Sequence, residues 1–402
     1  MKAKEAVYVT GAGVVSAIGL GQKAVLDALR GGRSGVEPVR YLRTVHSDFP
    51  VGEVKYGNGE MQEMLRIAPG EATIRSSLLG MLAVGEALRQ YAPSGGRDET
   101  LRVALVSGIT VGGMDQVENM YDDFVETDLR NDYISLIDCG ACTEQIADYF
   151  GGFRMASTIV TACSSSANAI MAGIDLLRED RADVVVAGGC ECLSRYHVNG
   201  FNTLMILDRE TCRPFDRRRA GINLGEGAGY LVLEPAEAVS RRGGQPLGKV
   251  SGYCNACDAY HQTASSPEGL GAYLAMKGAI EDAGLTPEDI DYVNAHGTGT
   301  PNNDLTEGLA IMRLFGERIP PVASVKAFTG HTTSAAGSLE AVISLLALRH
   351  GFLPVNLNFR EPIEEHSFVP VTDPSPGRPL RHVLSNSFGF GGNCSSIVFS
   401  NI

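Results

Sequence analysis

Residues 160–170 read VTACSSSANAI, and the stretch changes character in the middle. Its β-branched start and the small residues that follow are typical of a buried strand that ends in a turn. Over residues 167–178, apolar side chains then recur at the spacing of one helix face: Ile170, Ile174 and Leu177. The stretch therefore predicts a strand, a turn and a helix, with Cys163 at the junction.

Short apolar, β-branched runs like this one recur along the chain and alternate with helical stretches. The runs are residues 6–9, 103–106, 182–187, 229–233, 246–250, 290–295, 322–325 and 395–400. A second clear helix is predicted over residues 272–284, with Gly284 as its C-cap and a capped turn from Thr286. Such alternation predicts an α/β protein with buried, largely parallel strands.

The length of 402 residues exceeds what one hydrophobic core usually serves, about 250–300 residues. The strand and helix pattern breaks near residues 236–248, where two arginines are followed by two glycines. We therefore predict two similar halves, residues 1–240 and 241–402, although no residue-level repeat proves a duplication. Residues 38–67 are poorly patterned and are expected to form surface loops.

Charge and composition exclude several classes of protein. The chain is 44% hydrophobic and 20% charged, which is typical of a soluble globular protein. It carries 34 basic and 47 acidic residues, a net charge of −13, and would repel the phosphates of a nucleic acid. No apolar run approaches the roughly 18–20 residues that a membrane helix needs, so we expect no membrane insertion.

The first 19 residues share features with a signal peptide and with a dinucleotide-binding loop. Lysines followed by an apolar stretch suggest a signal peptide, but Thr10, Gly11 and Gly13 interrupt that stretch as a strand followed by a turn. The two glycines also suggest a dinucleotide loop, yet the third glycine and the ribose-binding acid of that motif are missing. We expect a buried first strand and no nucleotide cofactor.

The nine cysteines are an odd number in a long chain, which favours a reducing compartment, the cytoplasm, over a disulfide framework. Two Cys-x-x-Cys pairs could together supply four zinc ligands: Cys139/Cys142 and Cys254/Cys257. The turn residues of a zinc knuckle do not frame either pair, and cysteine is often just a small buried residue. We expect no metal.

Cys163 itself has two interpretations. At a helix N-terminus, the helix dipole and free backbone amides lower a thiol's pKa and can supply thiolate at neutral pH. Small neighbours leave room for a bulky thioester to reach its sulfur. The alternative is a structural cysteine buried before a helix.

Three further loops follow strand ends, where α/β sheets present catalytic groups. Residues 294–307, NAHGTGTPNNDLTE, carry His296, and residues 324–337, SVKAFTGHTTSAAG, carry Lys326 and His331. Residues 386–393, NSFGFGGN, are glycine-rich, so their backbone amides can approach a ligand as an oxyanion hole requires. With Cys163, these loops offer a nucleophile, two imidazoles and a turn of backbone donors.

The chain contains three further motifs: VTGAGVV at residues 9–15, RPFD at 213–216 and GEGAG at 225–229. Together with the loops above, they resemble a known family. They are similar to the elongating β-ketoacyl-acyl-carrier-protein synthases of the thiolase-like superfamily. The resemblance implies a five-layer α-β-α-β-α fold with two pseudo-equivalent halves, working as a homodimer, with a heterodimer also possible. It implies substrates carried on the phosphopantetheine of an acyl carrier protein, and no other cofactor.

The reaction that the resemblance implies is a decarboxylative Claisen condensation of an acyl chain with malonyl-acyl carrier protein. Cys163 would hold the acyl chain as a thioester, and His296 and His331 would stabilise the enolate left when CO₂ departs. Lys326 would support the histidines electrostatically; the alternative is a plain buried ion pair. Three acids would support the site: Glu307, Glu340 and Asp304. Either Glu307 or Glu340 would pair with Lys326.

The resemblance also implies how the substrate is held. The backbone amides of Cys163 and Phe390 would form the oxyanion hole, and Phe390 would act as a gate, or alternatively as a packing plug. Three hydroxyls would contact the pantetheine arm: Thr298, Thr300 and, unless it merely stabilises its loop, Thr263. Ile109 would form the acyl-pocket wall, although burial alone also explains it.

Two departures from the family pattern lie near the expected pocket. Residues 219–222 read RAGI where elongating synthases usually have Arg-Asp-Gly-Phe, and His331 is followed by TTS instead of Leu-Leu-Gly or Ser-Leu-Gly. The preferred acyl chain therefore cannot be inferred from fatty-acid enzymes. A specialised pathway to polyenes or other secondary products stays open.

Four other functions fit these residues less well. A chain-length-factor-like partner subunit, which condenses nothing itself, would lack the nucleophile that Cys163 provides. A degradative thiolase needs a Cys-x-Gly near the C-terminus, which residues 393–395, NCS, do not supply, and starter-type synthases carry asparagine in place of His331. A thiol hydrolase fits the cysteine and histidines less well than carbon–carbon bond formation does.

A group of arginines stands out in this acidic chain: Arg209, Arg213 and residues 217–219. Such a group could meet the acidic face of a carrier protein. The alternative is a solvated charged loop.

Overall fold

The computed structural model describes residues 6–68, 71–92, 100–127, 135–374 and 377–402, and within them eleven strands and twelve helices. The strands are β1 Val7–Ser16, β2 Gly19–Leu20, β3 Val103–Gly108, β4 Met155–Ile159, β5 Val184–Glu191, β6 Gly227–Pro235, β7 Gly248–Cys257, β8 Tyr292–Asn294, β9 Val322–Ala323, β10 His382–Gly389 and β11 Asn393–Ser400. The helices are α1 Gln22–Arg30, α2 Asn58–Leu65, α3 Arg75–Tyr91, α4 Met114–Thr127, α5 Cys139–Phe150, α6 Ser165–Arg178, α7 Arg195–Thr203, α8 Ala236–Arg242, α9 Leu270–Asp282, α10 Pro301–Phe315, α11 Lys326–Thr329 and α12 Ala336–His350.

The strands pair in the order β4-β3-β5-β6-β1-β7-β11-β10-β8-β9, with the short β2 beside β1. This order contains the same arrangement twice. When β2 is left out, the pairs of the first half are β1–β6, β6–β5, β5–β3 and β3–β4. The corresponding pairs of the second half are β7–β11, β11–β10, β10–β8 and β8–β9. The first two pairings are antiparallel and the other two parallel in both halves. The expected pseudo-equivalent halves are therefore confirmed by topology, without a repeated sequence.

The expectation of largely parallel strands is wrong. Parallel pairing is confined to β3 with β4 and β5, and to β8 with β9 and β10, among the described strands. The central pairs, including the β1–β7 contact that joins the halves, are antiparallel. Strands covered by helices on both faces are apolar throughout whichever way they run, so the pattern could not reveal their direction.

Two helices lie between the halves of the sheet. Helix α6 packs on β3 and β5 and also contacts β11, while α12 packs on β10 and also on β6. Helices α3 and α5 cover the outer face of the first half, and α9 covers that of the second. The result is the five-layer α-β-α-β-α fold that we expected. Residues 336–348 of α12 are buried on every side because sheet or helix surrounds them.

The start of the chain differs from the expected strand and turn. Strand β1 runs on through Gly11 and Gly13 to Ser16, with a bulge between Val9 and Gly11. The glycines are needed because α3 crosses the strand closely: a Cβ on Gly13 would lie 1.9 Å from the carbonyl oxygen of Ala83. This pair of glycines serves helix packing.

Other predicted elements are found close to where they were expected. Helix α9, Leu270–Asp282, overlaps most of the helix predicted over 272–284; its C-cap is Ala283, and Gly284, the predicted C-cap, follows with a φ of 68°. Thr286 and Asp289 form the capping box of the predicted turn. The expected surface loop over 38–67 is partly wrong, because α2 occupies Asn58–Leu65 and buries Met61 and Leu65.

The break expected near residues 236–248 falls between β6 and β7, and the short helix α8 lies in it. Because β6 closes the first topological unit and β7 opens the second, we propose that the halves divide near residues 240 and 241. Among the described residues, we find no helix with both the length and the apolarity to cross a bilayer.

Candidate active site

Cys163 lies in the tight turn between β4 and α6. Ala162, just before it, has a left-handed φ of 52°, a strained conformation for a residue with a side chain. The Ser165 hydroxyl stabilises the turn: it donates to the carbonyl of Ala162 at 2.6 Å and accepts from the Thr161 amide at 2.9 Å. The turn points the Cys163 sulfur into a cavity of about 310 Å³.

All four strand-end loops meet at this cavity. Cys163, His296, His331 and Phe390 line it, although they lie up to 227 positions apart in the chain. Within the parts of the chain that the structure describes, the predicted nucleophile, both imidazoles and the glycine-rich turn therefore share one pocket. Their catalytic roles stay predictions.

The electrostatics of Cys163 differ from the expectation. Burial raises the pKa of its thiol to about 11, although the Lys326 ammonium and the backbone amides of Phe390 and Cys163 act in the opposite direction. A pKa this high favours the protonated thiol at neutral pH and acts against the resting thiolate expected from the helix position. The sequence placed the sulfur at a helix N-terminus but could not show that the sheet and two loops would bury it completely.

The two imidazoles face each other almost at right angles. Their ring centroids are 5.2 Å apart with an interplanar angle of 83°. Burial, followed by the nearby charge of Lys326, lowers the pKa of both rings well below the ordinary histidine value. Both rings are therefore neutral at physiological pH, as hydrogen-bond donors to a developing negative charge need to be.

The sequence left two possible acidic partners for Lys326, Glu307 and Glu340. In the structure the partner is Glu340. The Nζ atom of Lys326 lies 2.5 Å from Oε1 of Glu340 and 3.3 Å from Nδ1 of His296, and all three side chains are buried. An ammonium group donates and cannot accept, so Nδ1 of His296 is the acceptor and its proton is on Nε2. Burial raises the pKa of Glu340 to about 7, against the effect of Lys326.

The other two predicted acids bind backbone. Glu307 accepts from the amides of His296 and Gly297, each at 2.8 Å, and from the side chain of Asn386 at 3.1 Å. Asp304 accepts from the amides of Gly299 and, at 2.7 Å, of Phe215. Both carboxylates hold the loop that carries His296 and do not contact Lys326.

The hydroxyls predicted to contact pantetheine line the same cavity. Thr298 and Thr300 are hydrogen-bonded to each other at 2.9 Å between their Oγ1 atoms, and Thr263, which is exposed, also lines the cavity. Ile109 is not among the residues lining this cavity. It is fully buried in the hydrophobic cluster beneath α3, so the structure does not bring it to the pocket.

Phe390 lies at one wall of the cavity between glycines. Its ring stacks on that of Phe201, with centroids 5.9 Å apart and an angle of 21°. Gly391 and Gly392 both have left-handed φ values, 82° and 80°, which favour glycine there. Phe201, from α7, was missed by the sequence analysis because no motif surrounds it.

The departures from the family pattern do lie near the pocket. Ala220 and Ile222 line it directly, whereas residues 332–334 are buried behind His331 and do not line it. Another residue without a predicted role is Ser387, whose hydroxyl donates to the Cys163 carbonyl at 2.9 Å. It lies inside a quoted motif, but only the fold shows what it contacts.

The arginines of the expected basic patch are already engaged. Four of them pair with carboxylates: Arg209 with Asp48, Arg213 with Glu210, Arg217 with Glu364 and Arg218 with Glu361. Arg219 donates to the carbonyls of Thr300 and Pro301, at the mouth of the pocket. An acidic partner would have to compete with these carboxylates.

The two Cys-x-x-Cys pairs lie apart in the fold. Cys139 and Cys142 begin α5, where Cys142 lies 3.5 Å from Cys190, whereas Cys254 and Cys257 are on β7. The described residues contain no group of three or more histidine, cysteine, aspartate or glutamate side chains that could hold a metal ion.

Known proteins resemble the chain over its whole length. Residues 4–238 match the family described as Beta-ketoacyl synthase, N-terminal domain, and residues 247–360 match Beta-ketoacyl synthase, C-terminal domain. Nodulation protein E of Rhizobium meliloti (strain 1021) is 32% identical, covering 98% of this chain and 99% of that protein. The 3-oxoacyl-(acyl-carrier-protein) synthase 2 of Staphylococcus aureus (strain COL) is 30% identical, covering 99% of each.

Solved structures also resemble the chain over nearly its whole length. The ishigamide ketosynthase/chain length factor superposes with a TM-score of 0.91 at 30% identity, covering 100% of both chains. The ketosynthase ApeO in complex with its chain length factor ApeC, from Xenorhabdus doucetiae, gives a TM-score of 0.85 at 30% identity, covering 99% of this chain and 98% of that one.

Proposed function

The chain belongs to the β-ketoacyl synthase family of condensing enzymes, and we propose that Cys163, His296 and His331 are its catalytic residues. The family membership confirms the resemblance drawn from the motifs. The proposed reaction joins an acyl chain held on Cys163 to malonyl-acyl carrier protein and releases a β-ketoacyl-acyl carrier protein. The observation that carries the proposal is the shared cavity, in which the buried thiol of Cys163 lies with two neutral imidazoles.

In the first step the Cys163 sulfur attacks the thioester carbon of the acyl carrier. The bond from that carbon to the pantetheine sulfur breaks, and the departing thiolate takes up the proton that Cys163 loses. Because the resting thiol is protonated, this proton transfer is part of the step. The backbone amides of Cys163 and Phe390, which point at the sulfur, would stabilise the oxyanion.

In the second step malonyl-carrier enters beside the acylated Cys163. Its carboxylate leaves as CO₂, and the electron pair becomes an enolate whose charge develops on the thioester oxygen. The Nε2 proton of His296 is available to that oxygen, because Lys326 occupies the other ring nitrogen. The enolate carbon attacks the acyl carbon, the bond to Cys163 breaks, and the freed thiolate takes up a proton from solvent.

Thr298 and Thr300 would bind the pantetheine arm, which is supported by their mutually hydrogen-bonded hydroxyls in the cavity that Cys163 also lines. The staphylococcal relative is named for action on acyl carrier protein, which supports the same carrier here. Two similar structures are named as a ketosynthase with a chain length factor, which supports a heterodimer as an alternative to a homodimer.

The alternative function is that of a chain-length-factor-like subunit that condenses nothing. The same two similar structures are named as containing such factors. Against it stands the strained turn that presents Cys163 to the cavity, since a non-condensing subunit has no use for a nucleophile held in this way.

Mass spectrometry of the intact chain after incubation with octanoyl-acyl carrier protein tests the proposal. One octanoyl adduct is expected, and Cys163→Ala should abolish it. Cys257→Ser, which removes an exposed thiol outside the cavity, is the matched control and should keep the adduct.

Addition of malonyl-carrier to the acylated protein should then yield β-ketodecanoyl-carrier. An adduct that is only hydrolysed would contradict condensation. The absence of any adduct on the parent chain would favour the non-condensing subunit.

A further inference from the structure

The two amides of the proposed oxyanion hole come from segments far apart in the chain. The amide of Cys163 belongs to the turn before α6, and that of Phe390 to the loop between β10 and β11. Both point at the Cys163 sulfur. Their relative position therefore depends on whatever fixes the loop against the turn.

The loop cannot fix itself. Residues 389–392 read GFGG, and glycine on both sides of Phe390 leaves its backbone with few internal restraints. The loop is bonded on one side to the segment after β7, through Gly391 to the carbonyl of Gln262 and through the amide of Asp258 to Gly392. These bonds do not reach the turn that carries Cys163.

Ser387, near the end of β10, donates its hydroxyl to the Cys163 carbonyl, and Asn393, the first residue after the loop, makes a second connection to the turn. The side-chain oxygen of Asn393 accepts three hydrogen bonds: from Nδ2 of Asn168 at 2.9 Å, from Nδ2 of Asn255 at 2.8 Å and from the Ser164 hydroxyl at 2.7 Å, whose single proton is shared with the Thr161 carbonyl. Ser164 follows Cys163 directly, and Asn168 is one helical turn further along α6. One amide oxygen thus joins the loop, the turn and β7.

The surrounding polar groups form a closed network around this oxygen. The Oδ1 atom of Asn168 accepts from Asn255 and from the Ser395 hydroxyl, each at 2.9 Å, and its Nδ2 also donates to Thr161 Oγ1 at 2.8 Å. Networks of this kind fix side chains in one arrangement because each bond orients the next.

We propose that Asn393 is a positioning residue that holds the Phe390 amide in register with the Cys163 amide, so that both reach the same oxyanion. This rests on the proposed function. Loss of the acceptor would let the loop shift relative to the turn, and displacements of about 1 Å can lower a rate about 100-fold. The cavity would keep its thiol, but the oxyanion would lose one of its two donors.

The test compares two reactions of the same sulfur. Acylation by octanoyl-acyl carrier protein passes through an oxyanion, whereas alkylation by iodoacetamide does not and reports only access to the thiolate. We expect Asn393→Leu, which keeps the branched shape of the side chain and removes the acceptor, to lower the acylation rate constant about 10- to 100-fold. Alkylation should change by no more than about two-fold.

Asn393→Asp keeps an oxygen that can accept all three bonds and should restore the ratio of acylation to alkylation. If Asn393→Leu proves too unstable to purify, Asn255→Ala removes one of the three donors from an exposed side chain and should lower the same ratio less strongly.

Equal losses of acylation and alkylation would show a general structural role, and an unchanged ratio would show no role; either result overturns the proposal. Failure of the proposed function looks different, because the parent chain itself would then not be acylated, and the positioning role would be rejected with it.

Discussion

His296 and His331 lie with their rings nearly perpendicular, 5.2 Å between centroids, in a pocket that also contains the ammonium of Lys326. Three cationic groups this close together would repel strongly in a buried site. The structure avoids this repulsion because both imidazoles are neutral and the ammonium of Lys326 forms an ion pair with Glu340. Neutral rings beside a buried ion pair have consequences that can be measured.

Decarboxylation should be insensitive to pH over the range in which ordinary histidines titrate. Because burial and Lys326 lower the pKa of both rings, protonation is displaced to lower pH, and the neutral donors persist as the pH falls from about 8 to 6. We expect Cys163→Gln, which removes the nucleophile, to release CO₂ from malonyl-carrier at a nearly constant rate over this range. A fall with a midpoint near 6.5 would contradict neutral, buried rings.

Alkylation of Cys163 should increase steeply with pH. A thiol whose pKa is raised to about 11 has a thiolate fraction that grows about ten-fold per pH unit between pH 7 and 9. Iodoacetamide labelling of Cys163, followed by peptide mass spectrometry, should show that slope. A plateau already near pH 7 would support the thiolate expected from the helix position and count against burial as the dominant effect.

The pair of Lys326 and Glu340 should be costly to break from one side. Lys326→Met leaves a buried carboxylate without its cation, and we expect the free energy of unfolding to fall by about 3–5 kcal/mol. Lys326→Met/Glu340→Gln removes the unpaired charge and should recover part of that loss. Urea denaturation measures both variants.

The same single variant should be less destabilised at pH 6 than at pH 8. The pKa of Glu340 is already raised in the folded protein. Because the folded state then binds this proton more tightly than the unfolded state does, the folded protein loses stability as the pH rises. A double variant no more stable than Lys326→Met would mean that the lost packing of the lysine, and not the unpaired charge, causes the effect.

Gly13→Ala should destabilise the fold, because the new Cβ would lie 1.9 Å from the backbone oxygen of Ala83 and force α3 away from β1. Overpacking of this kind costs about 1–3 kcal/mol. Gly59→Ala is the matched control: it lies in α2 with no heavy atom within 4 Å of the added Cβ, and should stabilise by about 0.5–1 kcal/mol. Thermal or urea unfolding compares the two, and equal stabilities would contradict the close approach of helix and strand.

Much of the site could be predicted from residue types and their local setting. Cys163 between a strand and a helix, His296 and His331 after strands, and the glycines around Phe390 were each recognisable, because a turn that follows a strand leaves a local pattern. Ile109 shows the limit of this reasoning: an apolar residue in a strand-end loop reads the same whether it lines a pocket or, as here, fills a core.

What the sequence determined by itself was the local structure, the α/β class, the order of the chemical groups and, through its motifs, the family. Strand direction, the choice of Glu340 over Glu307, the bonds of Asn393 and the raised pKa of Cys163 were decided by the tertiary structure alone. The physical reason is that each depends on atoms distant in sequence: burial, electrostatic fields and hydrogen-bond partners arise only when the two halves close around α6 and α12.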